Sequence, residues 1–258
     1  RSLSKSNWRP NLESAKRSDN SEQKGSIRIF KLLILFLSIF IVFYHLFISF
    51  STSISLMQQR IIHLFSFISV WFLFSLASPG KSHKHKLFAM AGLLSSVAVG
   101  LYFFVQASPK ILLQKGIWGI STYDMIAGLL LILLILEVSR QSVGLALPII
   151  AIVFIFFALA GPILPSLVAH KGYDFRYITS YIAWTSEGIF GTPVGAATSF
   201  VVLYIIFGEM LDQFGAGKFF IDIAYSITGR MRGGPAEASV VSSALMGSIN
   251  GSAVANVV

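Results

Sequence analysis

Long apolar runs alternate along the chain with short polar or Gly/Pro-punctuated breaks, and the length of the runs matches the thickness of a lipid bilayer. Residues 29–50, 61–77, 87–106, 123–136, 145–164 and 192–211 are dominated by Leu, Ile, Phe, Val and Ala. A helix needs about 20 such residues to cross a hydrocarbon core of about 30 Å. Each run is therefore read as a spanning helix; the fourth has the shortest apolar core and carries Asp124 at its mouth. Pro79-Gly80, Ser108-Pro109 and Gly161-Pro162 fall after runs and are read as helix stops. The pattern predicts an all-α integral membrane protein with about six transmembrane helices.

The segments between the runs carry different signals. Residues 1–31 are polar and basic, without apolar periodicity, and are read as a disordered or weakly helical tail at the lipid surface. The charged stretch is too long for a signal peptide, and the following run lacks a small-residue cleavage site. Between His170 and Pro193, Tyr173, Phe175, Tyr177, Tyr181 and Trp184 make an aromatic-rich stretch, read as a helix lying along the membrane interface. Residues 217–229 place Phe220, Ile223, Ala224 and Ile227 at helical spacing, with Lys218 and Asp222 opposite as an i,i+4 pair. That helix is amphipathic and too polar to span.

Composition agrees with a membrane protein: 55% of the 258 residues are hydrophobic and 12% charged, against roughly 25% charged in soluble domains. There is no cysteine, which excludes disulfides and thiolate metal sites. The net charge of +9 suggests nucleic acid only until it is mapped, because the basic residues sit at the ends of apolar runs. With the tail in the cytoplasm, Lys81, Lys84, Lys86, Arg140, Lys218, Arg230 and Arg232 fall on the same side as the tail. Arg60, Lys110, Lys115, Lys171 and Arg176 fall on the other, so 15 of the 20 Lys and Arg lie inside, which supports six spans and a cytoplasmic N-terminus. The chain begins with Arg1 and ends at Val258 within an apolar segment, and is read as part of a longer polypeptide.

The final thirty residues differ from the rest. They keep membrane-compatible apolar content but are crowded with Gly, Ala, Ser and Asn, which suits close backbone packing and polar groups surrounded by protein or a water-filled cavity. Arg230 and Arg232 hold the preceding segment at the cytoplasmic surface, and Pro235 opens the next helix. The expectation is a helix break over Ser248-Ile249-Asn250-Gly251-Ser252, the tip of a re-entrant hairpin reached after about 12 residues, or about 18 Å. At such a tip the carbonyls of Gly247, Ser248 and Asn250, with the side chains of Ser248, Asn250, Ser252 and Asn256, offer neutral oxygens to a cation. The competing reading is that these residues only pack helices.

Other candidates are weaker. Asp124, Glu187, Glu209 and Asp212 stand at or near membrane ends and are read as interfacial anchors and helix contacts, with Glu209 the one kept as an intramembrane acid. His83 and His85 form a His-x-His pair inside a basic loop, and His45 lies within the first span as a packing residue. No Ser-His-Asp order, phosphate loop or zinc pattern occurs, so no enzyme, transition metal or cofactor is expected.

Several elements together resemble the large membrane subunit of TRAP transporters, and more closely the fused permeases of the TAXI subgroup. They are Gly208-Glu209 closing a span, the Phe220-Ile221-Asp222-Ile223-Ala224 segment and the Gly229-Arg230-x-Arg232-Gly233-Gly234 turn. Gly251-Ser252-Ala253-Val254-Ala255-Asn256, and Glu187 to Pro193 ahead of the sixth span, complete the match. The resemblance covers about residues 184–258. It implies sodium-coupled uptake of organic acids delivered by a periplasmic solute-binding protein, by an elevator movement in the bacterial inner membrane. It implies a hairpin from Pro235 whose tip, Asn250-Gly251-Ser252, contributes to a sodium site and borders the substrate. Many relatives carry Ser at the position of Asn250 and Asp at that of Asn256. The implied layout is a basic tail (1–31), a four-helix module resembling the small subunit (32–140) and the start of the transport domain (141–258). A sodium/anion symporter that needs no receptor protein and a non-transporting scaffold subunit are the alternatives.

Overall fold

The computed structural model describes the backbone of residues 9–231 and 233–250, and the side chains of 27–231 and 233–247. Eleven helices and no strand occur among them. The first, α1 (Arg9–Phe50), joins the first span to most of the basic tail. The tail is thus helical from Arg9, where disorder or weak helicity was expected: extending a helix that the span has already nucleated costs far less than starting one. Then come α2 (Leu56–Ala77), α3 (His83–Gln106), α4 (Pro109–Trp118), α5 (Thr122–Ser142) and α6 (Ala146–Ala160), the last continued by a 3₁₀ turn over Gly161–Ile163. They are followed by α7 (Phe175–Trp184), α8 (Thr192–Ala196), a π-turn at Ala197–Val201, α9 (Val202–Gln213), α10 (Ala216–Thr228) and α11 (Gly234–Asn250). Among the described residues, six helical stretches are long and apolar enough to span: Ile27–Phe50, Leu56–Ala77, His83–Gln106, Thr122–Ser142, Ala146–Ile163 and Thr192–Gln213. They agree with the six predicted from the apolar runs. Large side chains such as Phe36, Phe43, Phe154 and Phe156 stand exposed on them, as a lipid-facing surface requires.

Residues divide into two compact units, Arg1–Ile41 with Ile54–Gly191, and Val42–Ser53 with Thr192–Val258. In the first, α2 and α3 are antiparallel and pack where glycine removes a side chain. Phe72 lies over Gly92, the Ser69 and Ser96 hydroxyls meet at 3.0 Å, and Phe65 lies over Gly100. A Cβ added to Gly100 would sit 2.9 Å from Cγ of Phe65, near the root of a buried ring that has little room to move. Gly100→Leu is expected to destabilise by about 1–3 kcal/mol through overpacking. Gly116→Ala on α4, where the added Cβ meets nothing within 4 Å, should be neutral or gain up to about 1 kcal/mol of helix propensity. Thermal unfolding of the two purified variants in one detergent measures the contrast; equal melting temperatures would refute the close packing.

The centre of this unit is aromatic. Phe103 is fully buried, stacks on Trp184 at 4.1 Å between centroids, and meets Phe65 and Phe190 at 5.9 and 5.8 Å. Trp184, expected among the interfacial aromatics, is instead 5% exposed. It can be buried because its indole N–H donates to the Asp124 carbonyl at 3.0 Å. Tyr173, Tyr177 and Tyr181 do remain exposed, stacked along α7 at 5.3 and 6.3 Å. The first compact unit runs through Gly191, where Trp184 and Phe190 share the core of α2, α3 and α5.

Candidate functional site

The small-residue segment forms the second arm of a helical hairpin in the second unit. Its first arm, α10, is amphipathic as its spacing predicts: Ala224 and Thr228 are buried while Lys218 and Asp222 are exposed. Those two do not close into an ion pair; the salt bridges among the described residues are Lys115–Asp124 and Arg140–Glu137. Exposed i,i+4 pairs gain too little to hold two flexible side chains together.

The chain reverses between α10 and α11 through Gly233, whose φ of +85° is left-handed and suits only glycine. Thr228 ties the turn shut, its hydroxyl near the Ala224 carbonyl at 2.9 Å and the Gly234 carbonyl at 3.2 Å. Ala224 and Ala238 are buried, so the backbones approach closely. Glu237 stands in the first turn of α11, where an acid complements the helix dipole. At the far end, a Cβ placed on Gly217 would lie 3.0 Å from Asp212 Oδ1 and 3.9 Å from Met246 Cε. The C-terminal part of α11 therefore returns to the corner between α9 and α10, beside the Asp212 carboxylate.

Helical backbone continues through Asn250, so the break expected to begin at Ser248 does not start there. Serines are tolerated in this helix because they bond backwards to its own carbonyls, Ser239 to Ala236 at 2.8 Å and Ser242 to Ser239 at 3.1 Å. Gly247 is half-buried, and Gly247, Ser248 and Asn250 occupy the last described turn. Gly251, Ser252 and Asn256 lie outside the described residues.

The remaining candidates separate by burial. Glu187, Glu209 and Asp212 are exposed, Glu209 and Asp212 near the C-terminal end of the sixth span. His85 Nε2 meets the Ser75 hydroxyl at 2.8 Å, while His83 is exposed. His45 is buried with its ring edge-on to Tyr44 at 5.1 Å.

Asp124, by contrast, lies at the centre of a buried polar node. Its Oδ2 accepts from the backbone N–H and hydroxyl of Ser121 at 2.9 and 2.8 Å, completing a capping box at the start of α5. Its Oδ1 accepts from Tyr102 at 2.9 Å and from the Lys115 ammonium, which also lies 4.1 Å from the centroid of Trp184. Lys115 belongs to α4, a helix missed in the sequence because Ser108-Pro109 reads as a stop. Here Ser108 is the N-cap and Pro109 opens the helix. The Ser121-x-x-Asp124 spacing was the legible signal for this node.

The geometry of the described residues is that of a helical membrane protein. What it holds is a set of spanning helices, with a small-residue hairpin in one of the two compact units. No curated protein and no solved structure gives a significant match to the chain. The family model of the tripartite ATP-independent periplasmic transporter, DctM component, matches residues 130–258. That match takes in the last spans and the α10–α11 hairpin, and with the six spans it identifies the chain as a multi-pass membrane permease component belonging to the DctM family of TRAP transporters.

Proposed function

We propose that the chain supplies the sodium-coupled step in the uptake of organic acids handed over by a periplasmic solute-binding protein. The observation that carries the reading is α11, a small-residue helix in the matched region whose last described turn holds Gly247, Ser248 and Asn250. The last four carbonyls of a helix have no partner within it. With a helix break beyond Asn250, outside the described residues, such carbonyls would offer hard oxygen ligands to sodium. Ser252 and Asn256 would add side-chain oxygens, Gly251 would let the backbone turn, and the site would border the substrate carboxylate. Glu209 serves as an interfacial anchor in this scheme, and Asp212, beside Gly217 and Met246, adds negative charge on the path of a cation.

The N-terminal helices act as the scaffold and the small-residue hairpin belongs to the part that moves in an elevator cycle. The N-terminus faces the cytoplasm of a bacterial cell, with the protein in its inner membrane. Organic acid and sodium then bind with reciprocal coupling, each raising the affinity of the other by the same factor.

The test is uptake by the full-length protein in proteoliposomes, with an outside-high sodium gradient and its solute-binding protein added outside. Accumulation should require both. Uptake without the binding protein would favour a receptor-independent symporter. No uptake under either condition, with a correctly inserted protein, would favour a scaffold subunit.

A further inference from the structure

A cavity of about 570 Å³ opens in the first compact unit between the first turns of α2, the end of α4 and the end of α7. Met57 and Arg60 face it from α2, Leu112, Lys115 and Gly116 from α4, and Trp184 from α7. The start of α2, the end of α3 and the start of α5 all come to this region, so the cavity stands at one end of three spanning helices. That is the depth of lipid headgroups.

Its charge is unbalanced. Lys115 is matched by Asp124, whereas Arg60 has no carboxylate within salt-bridge distance among the described residues. One Arg60 nitrogen donates to the Phe190 carbonyl at 2.6 Å, which anchors the guanidinium and leaves its other N–H groups available. The site therefore offers one net positive charge, donors on a planar fork, and walls of Leu56, Met57, Leu112 and Ile120. A soluble anion would gain nothing from those walls. A phosphodiester carries one negative charge, and the chains attached to it are apolar. We propose that this cavity binds the phosphate of a net-anionic membrane phospholipid on Arg60, with Lys115 held nearby by Asp124 and an acyl chain passing Leu112 and Trp184.

Trp184 lines the cavity and serves as the reporter. In the full-length protein every tryptophan other than Trp184 (Trp8, Trp71 and Trp118 among them) is changed to Phe, and phosphatidylglycerol with brominated acyl chains is titrated into phosphatidylcholine nanodiscs. Quenching of Trp184 should saturate at low mole fraction of the brominated lipid. Arg60→Gln should shift the titration by about tenfold or more, the loss of one charge-assisted contact, while Arg60→Lys should retain saturable quenching. Because Arg60 also holds Phe190, a second variant is needed. Gly116→Phe fills the cavity from a position where a Cβ meets no atom within 4 Å, and should abolish the saturable phase with the melting temperature unchanged. Quenching that rises linearly and equally in all variants would mean bulk lipid contact only and would overturn the site. Displacement of the brominated lipid by millimolar inorganic phosphate would assign it to a soluble anion and overturn the lipid reading.

Discussion

Asp124→Ala should be among the most destabilising single changes in the first compact unit. The Asp124 side chain is 4% exposed and that of Lys115 10% exposed. Removing the carboxylate would leave an ammonium in a largely apolar cavity, and would also strip acceptors from Tyr102 and from Ser121 at the N-terminus of α5. Breaking one side of a buried pair costs about 3–5 kcal/mol. Asp124→Asn keeps one oxygen acceptor, for Tyr102 or for Ser121, and loses the charge while the other oxygen becomes an N–H donor, so it should cost less than the alanine change but not be neutral. The double change Asp124→Asn with Lys115→Met removes both charges together and should recover stability relative to the sum of the single changes. Thermal unfolding of the purified full-length variants in one detergent checks this order. A loss below about 1 kcal/mol for Asp124→Ala would show that water, rather than Asp124, compensates Lys115.

The same node shows what was legible in the sequence and what was not. The spans were readable because each is decided by one local quantity, apolar length, which the bilayer imposes on every helix alike. The capping box left a local signal that the reading of Asp124 as an interfacial anchor passed over, since Ser121 and Asp124 are three residues apart. The ion pair left none, because Ser108-Pro109 has two meanings: proline ends a helix when it follows one and starts a helix when it stands in the first turn. Trp184 was misplaced for a related reason. A tryptophan suits an interface or a core equally well, and the choice fell to an acceptor sixty residues away, the Asp124 carbonyl. The course of α11 through Ser248 was misjudged because Gly and Ser were weighed as helix breakers, although tertiary packing against α10 outweighs weak local propensity. Its neighbour Asp212 could not have been placed from sequence, since only the return of α11 brings Met246 to Gly217.

The largest functional effect is expected at the end of α11. Replacing Asn250 or Ser252 with Leu in the full-length protein would remove a polar oxygen and put a larger apolar side chain in its place. If the terminal carbonyls and these side chains hold sodium, a leucine both deletes a ligand and blocks the approach of the substrate carboxylate. Uptake should fall to background in both variants. Membrane insertion should be intact, because Leu is as compatible with the bilayer as the residues it replaces. Substrate binding measured at saturating sodium should fall together with sodium binding measured at saturating substrate, since the two are linked by one coupling free energy. The packing alternative makes a different prediction. Small residues that only let helices approach would give a protein of lower melting temperature whose remaining folded fraction transports normally. Sodium-dependent protection of a cysteine placed at position 250 or 252 from a thiol reagent separates the two, in a full-length protein cleared of any cysteine outside residues 1–258, which hold none. Protection by sodium, deepened by the organic acid, is the expected result. Labelling indifferent to both ions, together with normal uptake by the leucine variants, would remove the end of α11 from the transport site.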